Sequence, residues 1–122
     1  MANDFKRFTV NNVNTSSGAS ASTVYTVPAG AGSTALESII IGITLSNTTT
    51  AGITASVFLD NYTGSNDVHI VKDATIPAGS SLEVMAGNKL VVQNYGSAGD
   101  IIKVSAGTAS ACDVTVSVLE DV

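Results

Sequence analysis

The chain has 122 residues, a formal net charge of −5, and only 12% charged side chains against 44% hydrophobic ones. Its basic residues, Lys6, Arg7, Lys72, Lys89 and Lys103, are scattered along the sequence, whereas nucleic acids and anionic membranes require clustered cations. We therefore expect a single domain that binds neither, with a Ser-, Thr- and Asn-rich surface that favours contact with other proteins.

The composition of the first 21 residues predicts an N-terminal arm. Residues 1–21 contain NNVNTSSGASAS, in which apolar side chains are too few to offset the entropy lost on ordering. FKRFTV, just ahead of that stretch, is a weak candidate strand. We expect a flexible N-terminal arm at 1–21, either docked on a neighbour or solvated, followed by a β-sandwich domain at 22–122. The start of the chain shows no secretory signal, which predicts a protein made and kept soluble.

Beyond the arm, apolar and polar residues alternate as in strands with one buried face. The buried faces are expected to carry Ile39, Ile41, Ile43 and Leu45, then Ile53, Ala55, Val57 and Leu59, and finally Val114, Val116 and Val118. Further candidate strands are STVYTV at 22–27, DVHIVK at 67–72, SLEVM at 81–85, KLVVQ at 89–93 and DIIKVSA at 100–106. About eight strands with no helical periodicity predict an all-β antiparallel sandwich of jelly-roll or Greek-key type.

Two nearly identical segments divide the chain. TVPAG at 26–30 and TIPAG at 75–79 each follow a candidate strand and precede a short polar spacer and a new strand. Pro has no N–H for a sheet ladder and Gly accepts unusual backbone angles, so Pro-Ala-Gly ends a strand and turns the chain. The repeat is interpreted as architecture, separating two halves of about four strands each.

Candidate catalytic and metal-binding residues are few. His69 is the only histidine and is interpreted as a surface or half-buried strand residue. Cys112, the only cysteine, is interpreted as a buried structural thiol. Asp60, Asp67 and Asp73, together with Asn61 and Asn66, could contribute oxygens to a calcium loop, but a solvated hairpin turn is the favoured interpretation. We expect no catalytic residues, no metal, no cofactor and no enzymatic activity.

Two tyrosines leave a sugar-binding alternative open. Tyr62 and Tyr95 both fall in predicted loops and could form an aromatic tip that stacks on carbohydrate. Tyrosines that simply cap the end of the core are the favoured interpretation.

The order of the motifs resembles a known family. TVYTVPAG, ALESIIIGITLSNTT, ITASVFLD, the long VHIVKDATIPAGSSLEVMAGNKLVVQ, GDIIKVSAGT and DVTVSVLE follow one another from Thr23 to Glu120. This succession is similar to that of small β-sandwich virion proteins of tailed bacteriophages, especially cyanobacterial phages. The resemblance implies a decoration or cement protein of the capsid, or a component of tails and fibres, without catalytic residues.

The expected function is therefore structural. We expect a capsid decoration protein located in the virion, a homotrimer that braces neighbouring capsomers by contacts with the major capsid protein or other virion proteins. A tail or fibre-attachment component is the alternative within this class, and a carbohydrate-binding or adhesion module is the alternative outside it.

Overall fold

Nine strands build the part of the chain that the computed structural model describes, residues 3–16, 20–30, 32, 35–61, 66–85, 89–96 and 98–121. The strands are β1 Asn3–Val10, β2 Ser22–Thr26, β3 Leu36–Asn47, β4 Ile53–Asn61, β5 Asn66–Ile76, β6 Ser81–Glu83, β7 Leu90–Asn94, β8 Ile101–Ala106 and β9 Cys112–Asp121. Within those ranges, no helix has the length and apolar character needed to cross a membrane.

The strands form two antiparallel sheets packed together. The five-stranded sheet has the order β1-β9-β3-β6, with β7 also paired to β3, and the four-stranded sheet has the order β2-β8-β4-β5. Strands β6 and β7 pair with successive parts of the same edge of β3. The predicted all-β antiparallel sandwich is confirmed. The jelly-roll type remains a prediction, with which this strand order is compatible.

The core lies between the inner faces of the two sheets. The fully buried positions include the predicted Val57 of β4 and the predicted Val116 and Val118 of β9. Cys112 is also fully buried, as expected, and belongs to the same apolar cluster. Burial of each such Val, Leu or Ile side chain contributes roughly 1.5–3 kcal/mol, so this alternation is the main source of stability.

The predicted buried face of β3 is wrong in its first half. Ile40, Ile43 and Leu45 are fully buried, but Ile39 is half-buried and Ile41 is 38% exposed. The pairing with β9 explains this difference, because Ile40 lies opposite Val118 whereas Gly42 lies opposite Ser117, so Ile41 is an extra residue in a β-bulge. A bulge shifts the alternation by one position, and three consecutive isoleucines conceal that shift in the sequence.

The two Pro-Ala-Gly segments are fastened in the same way. Strand β2 ends at Thr26 and is followed by the fully buried Val27 and then Pro28, and β5 ends at the fully buried Ile76, directly before Pro77. The Asn94 amide donates to the Val27 carbonyl at 2.8 Å, and the Asn47 amide donates to the Ile76 carbonyl at 3.0 Å. Each asparagine terminates a strand of the other sheet, so both turns join the two sheets.

The expected N-terminal arm is not what the structure shows. Strand β1 pairs with β9 along its whole length, and Val13, which follows it, is fully buried. Backbone pairing and the partly buried Phe8 and Val10 supply the stabilisation that the composition of 1–21 appeared to lack. The boundary at Ala21 is therefore wrong for the described residues, and deletion of 1–21 would remove a strand.

Replacement of Asn47 tests the fastening of the second Pro-Ala-Gly segment. Asn47→Ala removes amide hydrogen bonds to the carbonyls of Ala51 and Ile76 and leaves a buried carbonyl without its donor. We expect the free energy of unfolding to fall by about 2–3 kcal/mol, measured by urea denaturation with an unchanged slope. The exposed Asn11→Ala is the control and should change it by less than about 0.5 kcal/mol. Equal effects of the two substitutions would contradict the proposed fastening.

Candidate functional site

A row of apolar side chains crosses the outer face of the five-stranded sheet. Phe5 of β1 lies opposite Leu119 of β9, Leu119 lies opposite Ile39 of β3, and Ile39 lies opposite Val91 of β7. Phe5 is 77% exposed and Val91 is 57% exposed, while Leu119 and Ile39 are half-buried between them. We call these four residues the apolar row. Directly opposed side chains on one face are in contact range, so the row is continuous.

A shallow hollow adjoins the apolar row. Its volume is about 340 Å³, and its lining includes Ile41, Gly42, Thr44, Glu83, Thr115 and Ser117. The Thr44 hydroxyl donates to Glu83 at 2.9 Å, and Gly42 contributes no side chain. An exposed isoleucine thus stands beside a depression floored by small hydroxyl residues.

This arrangement is suited to contact with another protein. Isolated exposed apolar residues are ordinary on protein surfaces, but an uninterrupted apolar patch with a polar border is typical of an interface. Arg7, Glu37 and Gln93 lie in the positions of the same strands that flank the row and supply such a border. This face therefore provides a hollow and an exposed apolar surface, the features on which another protein can dock.

The strand that carries Phe5 is held from its inner side by a buried polar cluster. Glu120 is 1% exposed, and its Oε2 accepts a hydrogen bond of 2.6 Å from the Tyr25 hydroxyl. The Tyr25 oxygen is 2.9 Å from the Ser38 hydroxyl, which must be the donor because Tyr25 has already given its only hydroxyl hydrogen. Lys6 completes this Glu120 cluster with its Nζ 2.9 Å from Oε1.

The ion pair is the only partner of that second carboxylate oxygen among the described residues. Oε1 receives no hydrogen bond of good geometry there, so the nearby Lys6 ammonium compensates its buried charge. The close contact with the Glu120 carboxylate, and its negative charge, raise the pKa of Lys6. Burial, and then the hydrogen bond to Glu120, raise the pKa of Tyr25. Phe8 adds a ring contact with Tyr25 at 4.7 Å, so β1 is fixed and Phe5 faces outward.

The residues considered for chemistry are dispersed. His69 is exposed on β5, as expected, and its ring lies 5.3 Å from that of Phe58. Burial raises the pKa of the Cys112 thiol, which suits a structural role. The Asp60 carboxylate lies 3.1 Å from Lys103 Nζ, and the backbone N–H of Asp73 donates to the Ser56 hydroxyl at 2.9 Å. No group of three potential metal ligands is found among the described residues.

Of the two tyrosines considered for sugar binding, Tyr95 lies in the described part of the chain. Tyr95 is 52% exposed and donates to Gln93 at 2.7 Å. Tyr62 lies outside the described residues, so a shared tip with Tyr95 remains a prediction. The apolar row, by contrast, was missed by sequence reasoning, because its members belong to four strands whose register the sequence does not reveal. The one available signal was Phe5 at a strand position outside the aliphatic alternation.

Comparison with known proteins gives no family assignment. No protein-family model and no curated protein sequence matches the chain.

A pair of tyrosine substitutions tests the Glu120 cluster. Tyr25→Phe leaves a buried carboxylate without its hydroxyl donor, and we expect the free energy of unfolding to fall by about 2 kcal/mol. Tyr95→Phe removes the same atom from an exposed side chain and should cost less than about 0.5 kcal/mol. Urea denaturation at neutral pH measures both, and a Tyr25→Phe protein as stable as the Tyr95→Phe protein would contradict the role of the cluster.

The cluster also predicts the behaviour of the protein in alkali. Because the folded-state pKa of Tyr25 is raised, its neutral form stabilises the fold below about pH 10, the pKa in the unfolded chain. This contribution is lost as the pH rises towards the folded-state pKa. Stability of the wild-type protein should therefore fall more steeply from about pH 9 to about pH 11 than that of Tyr25→Phe. Parallel declines in urea titrations would refute the assignment.

Proposed function

We propose that the protein is a structural component of a virion, a capsid decoration protein that docks through the outer face of its five-stranded sheet. The observation that carries this proposal is the apolar row, in which Phe5, Leu119, Ile39 and Val91 form one exposed band across four strands. The motif order shared with small virion proteins of tailed phages supplies the class of partner.

The composition supports repeated assembly. With 12% charged residues, the chain has few hydrated groups to remove from an interface, and Thr and Ser beside the apolar row are readily desolvated. Stable contacts typically bury about 1,200–2,000 Å² in total, and symmetry multiplies a modest contact on a particle. The proposed assembly is a homotrimer at or near three-fold positions that braces neighbouring capsomers.

Strand β1 takes a different part in this proposal from that of a reaching arm. Its inner residues Lys6 and Phe8 bind the core, and its outer residue Phe5 is the most exposed member of the apolar row. In this arrangement the N-terminal strand widens the docking face. A strand at the edge of a sheet also has unpaired backbone groups that a neighbouring chain can use.

Two exposed valines provide a matched test. Val91 lies in the apolar row, and Val68, on β5 of the other sheet, has a similar exposure of 50% against 57%. Val91→Asp should lower occupancy on purified particles by at least about tenfold, because it places an uncompensated charge in an apolar contact. Val68→Asp should leave occupancy within about twofold of the wild type. Quantitative mass spectrometry of virions carrying each variant measures the occupancy.

Electron microscopy of the same particles places the protein. Density at capsid three-fold positions would support decoration, and density confined to the tail or fibres would replace it with the tail-component alternative. Absence of the wild-type protein from particles that contain the major capsid protein would reject a virion role. Equal loss of occupancy in both variants would reject the apolar row as the docking face.

A further inference from the structure

A groove lies on the outer face of the four-stranded sheet, opposite the apolar row. Its volume is about 570 Å³, within the range of roughly 300–1,000 Å³ typical of small-molecule sites. Its polar lining includes Ser56, Asp67, His69, Lys72, Asp73 and Ser105. We call it the β5 groove, because four of these residues belong to one strand.

Irregular pairing between β4 and β5 builds the β5 groove. Ala55 lies opposite Ala74 and Val57 opposite Val71, so Lys72 and Asp73 together face the single residue between Ala55 and Val57. A second shift follows before His69, which lies opposite Phe58. Ala74 stays in phase with the buried Ile76, and Lys72 and Asp73, opposite Ser56, both line the groove. The extra residue of the second shift, Ile70, packs against the core. Bulges of this kind commonly re-aim side chains next to binding sites.

The bulge is fixed by a specific contact. Asp73 has a φ of 49°, a left-handed conformation that is uncommon for residues other than glycine. The Ser56 hydroxyl accepts a hydrogen bond from the Asp73 backbone N–H at 2.9 Å. Sparsely populated backbone conformations often occur at functional sites. Here the conformation places two consecutive polar side chains, Lys72 and Asp73, on the groove.

The β5 groove combines an aromatic floor with charged and hydroxyl side chains. Phe58 is 2% exposed, and the tilted His69 ring packs against it, so the outer surface of the exposed His69 ring remains accessible. The side chains of Asp67 and Lys72 make no hydrogen bond or ion pair with any other residue in the described part of the chain. The groove therefore offers a carboxylate, an ammonium group, hydroxyls and a flat ring to a ligand.

We propose that the β5 groove binds a neutral sugar of about one or two rings. A sugar presents hydroxyls that both donate and accept, which suits a lining with Asp67 as acceptor, Lys72 as donor and serine hydroxyls as either. Its C–H face suits the flat ring of His69. The mixed signs of the lining favour an uncharged ligand over a strongly charged one.

Other occupants fit the groove less well. A peptide strand would pair with the outer edge of β5, whereas the groove lies on the face of the sheet, over backbones that are paired between β4 and its neighbours. Phosphate-bearing ligands would meet two aspartates and a chain with a net charge of −5. The groove lies on the sheet opposite the apolar row, so a protein docked as proposed would expose it to solvent. Only this orientation rests on the proposed function.

Titration of the isolated protein tests sugar binding without any particle. Amide resonances of ¹⁵N-labelled full-length protein are followed by NMR during addition of glucose, galactose, mannose, N-acetylglucosamine and lactose, with glucuronic acid as the charged comparison. We expect resonances of β5 and β8 residues around the groove to shift with a millimolar dissociation constant for at least one neutral sugar. Glucuronic acid should bind at least about threefold more weakly than that sugar.

Three variants decide where the sugar binds. Asp67→Asn should weaken binding by about tenfold, and Ser105→Phe should abolish it by filling the groove. Thr75→Ala changes an exposed residue farther along β5 and should leave the affinity within about twofold. The amide spectrum of each variant verifies its fold.

The titration results test sugar binding independently of the proposed docking through the apolar row. Lack of any groove shift with neutral sugars up to about 50 mM would overturn it, as would binding that survives both Asp67→Asn and Ser105→Phe. Shifts at Tyr95 with none in the groove would place sugar binding at the tyrosine loop and also overturn it. None of these results depends on whether the protein docks through the apolar row.

Discussion

The buried carboxylate of Glu120 is the constraint on which the rest of the structure depends. Removal of a charged group from water costs several kcal/mol unless partners compensate it, so its position dictates what must surround it. Tyr25 comes from the four-stranded sheet, and Lys6 comes from the N-terminal strand, with Glu120 between them in the five-stranded sheet. One charge thus holds the sheets in register at one end and completes the edge of the larger sheet.

Two buried asparagines likewise connect the two sheets, at the Pro-Ala-Gly turns. Asn47 and Asn94 each end a strand and accept a hydrogen bond from the backbone N–H two residues later, Thr49 at 2.9 Å and Gly96 at 2.6 Å. Each also donates across to the carbonyl that precedes a Pro-Ala-Gly segment. Proline cannot join a ladder, so a side-chain amide supplies the cross-link that backbone pairing cannot. The two halves of the chain therefore share a fastening as well as a motif.

Features that depend on local sequence could be predicted, whereas features that depend on the register between strands could not. Strand positions and turns followed from alternation and from proline and glycine, and they recur in the structure. The inward face of β3 was misassigned because Ile39, Ile40 and Ile41 satisfy either phase of the alternation. Residues 1–21 were predicted to be an arm because their composition gives no sign of the backbone pairing between β1 and β9. Neither candidate surface could be predicted, since each joins residues from several strands.

An extra residue lies beside the apolar row on the larger sheet, and another lies in the β5 groove on the smaller sheet. The inner faces are close-packed against each other, so an insertion that moved an inward side chain would cost a cavity or an overlap. Ile41 on β3 and the pair Lys72 and Asp73 on β5 are therefore accommodated outward. Ile70, the extra residue of the second shift on β5, is apolar and packs against the core instead. The outward side chain at the bulge of the larger sheet is apolar, and the outward pair at the first bulge of the smaller sheet is charged. The same structural device thus gives one face the character of a protein contact and the opposite face that of a polar binding groove.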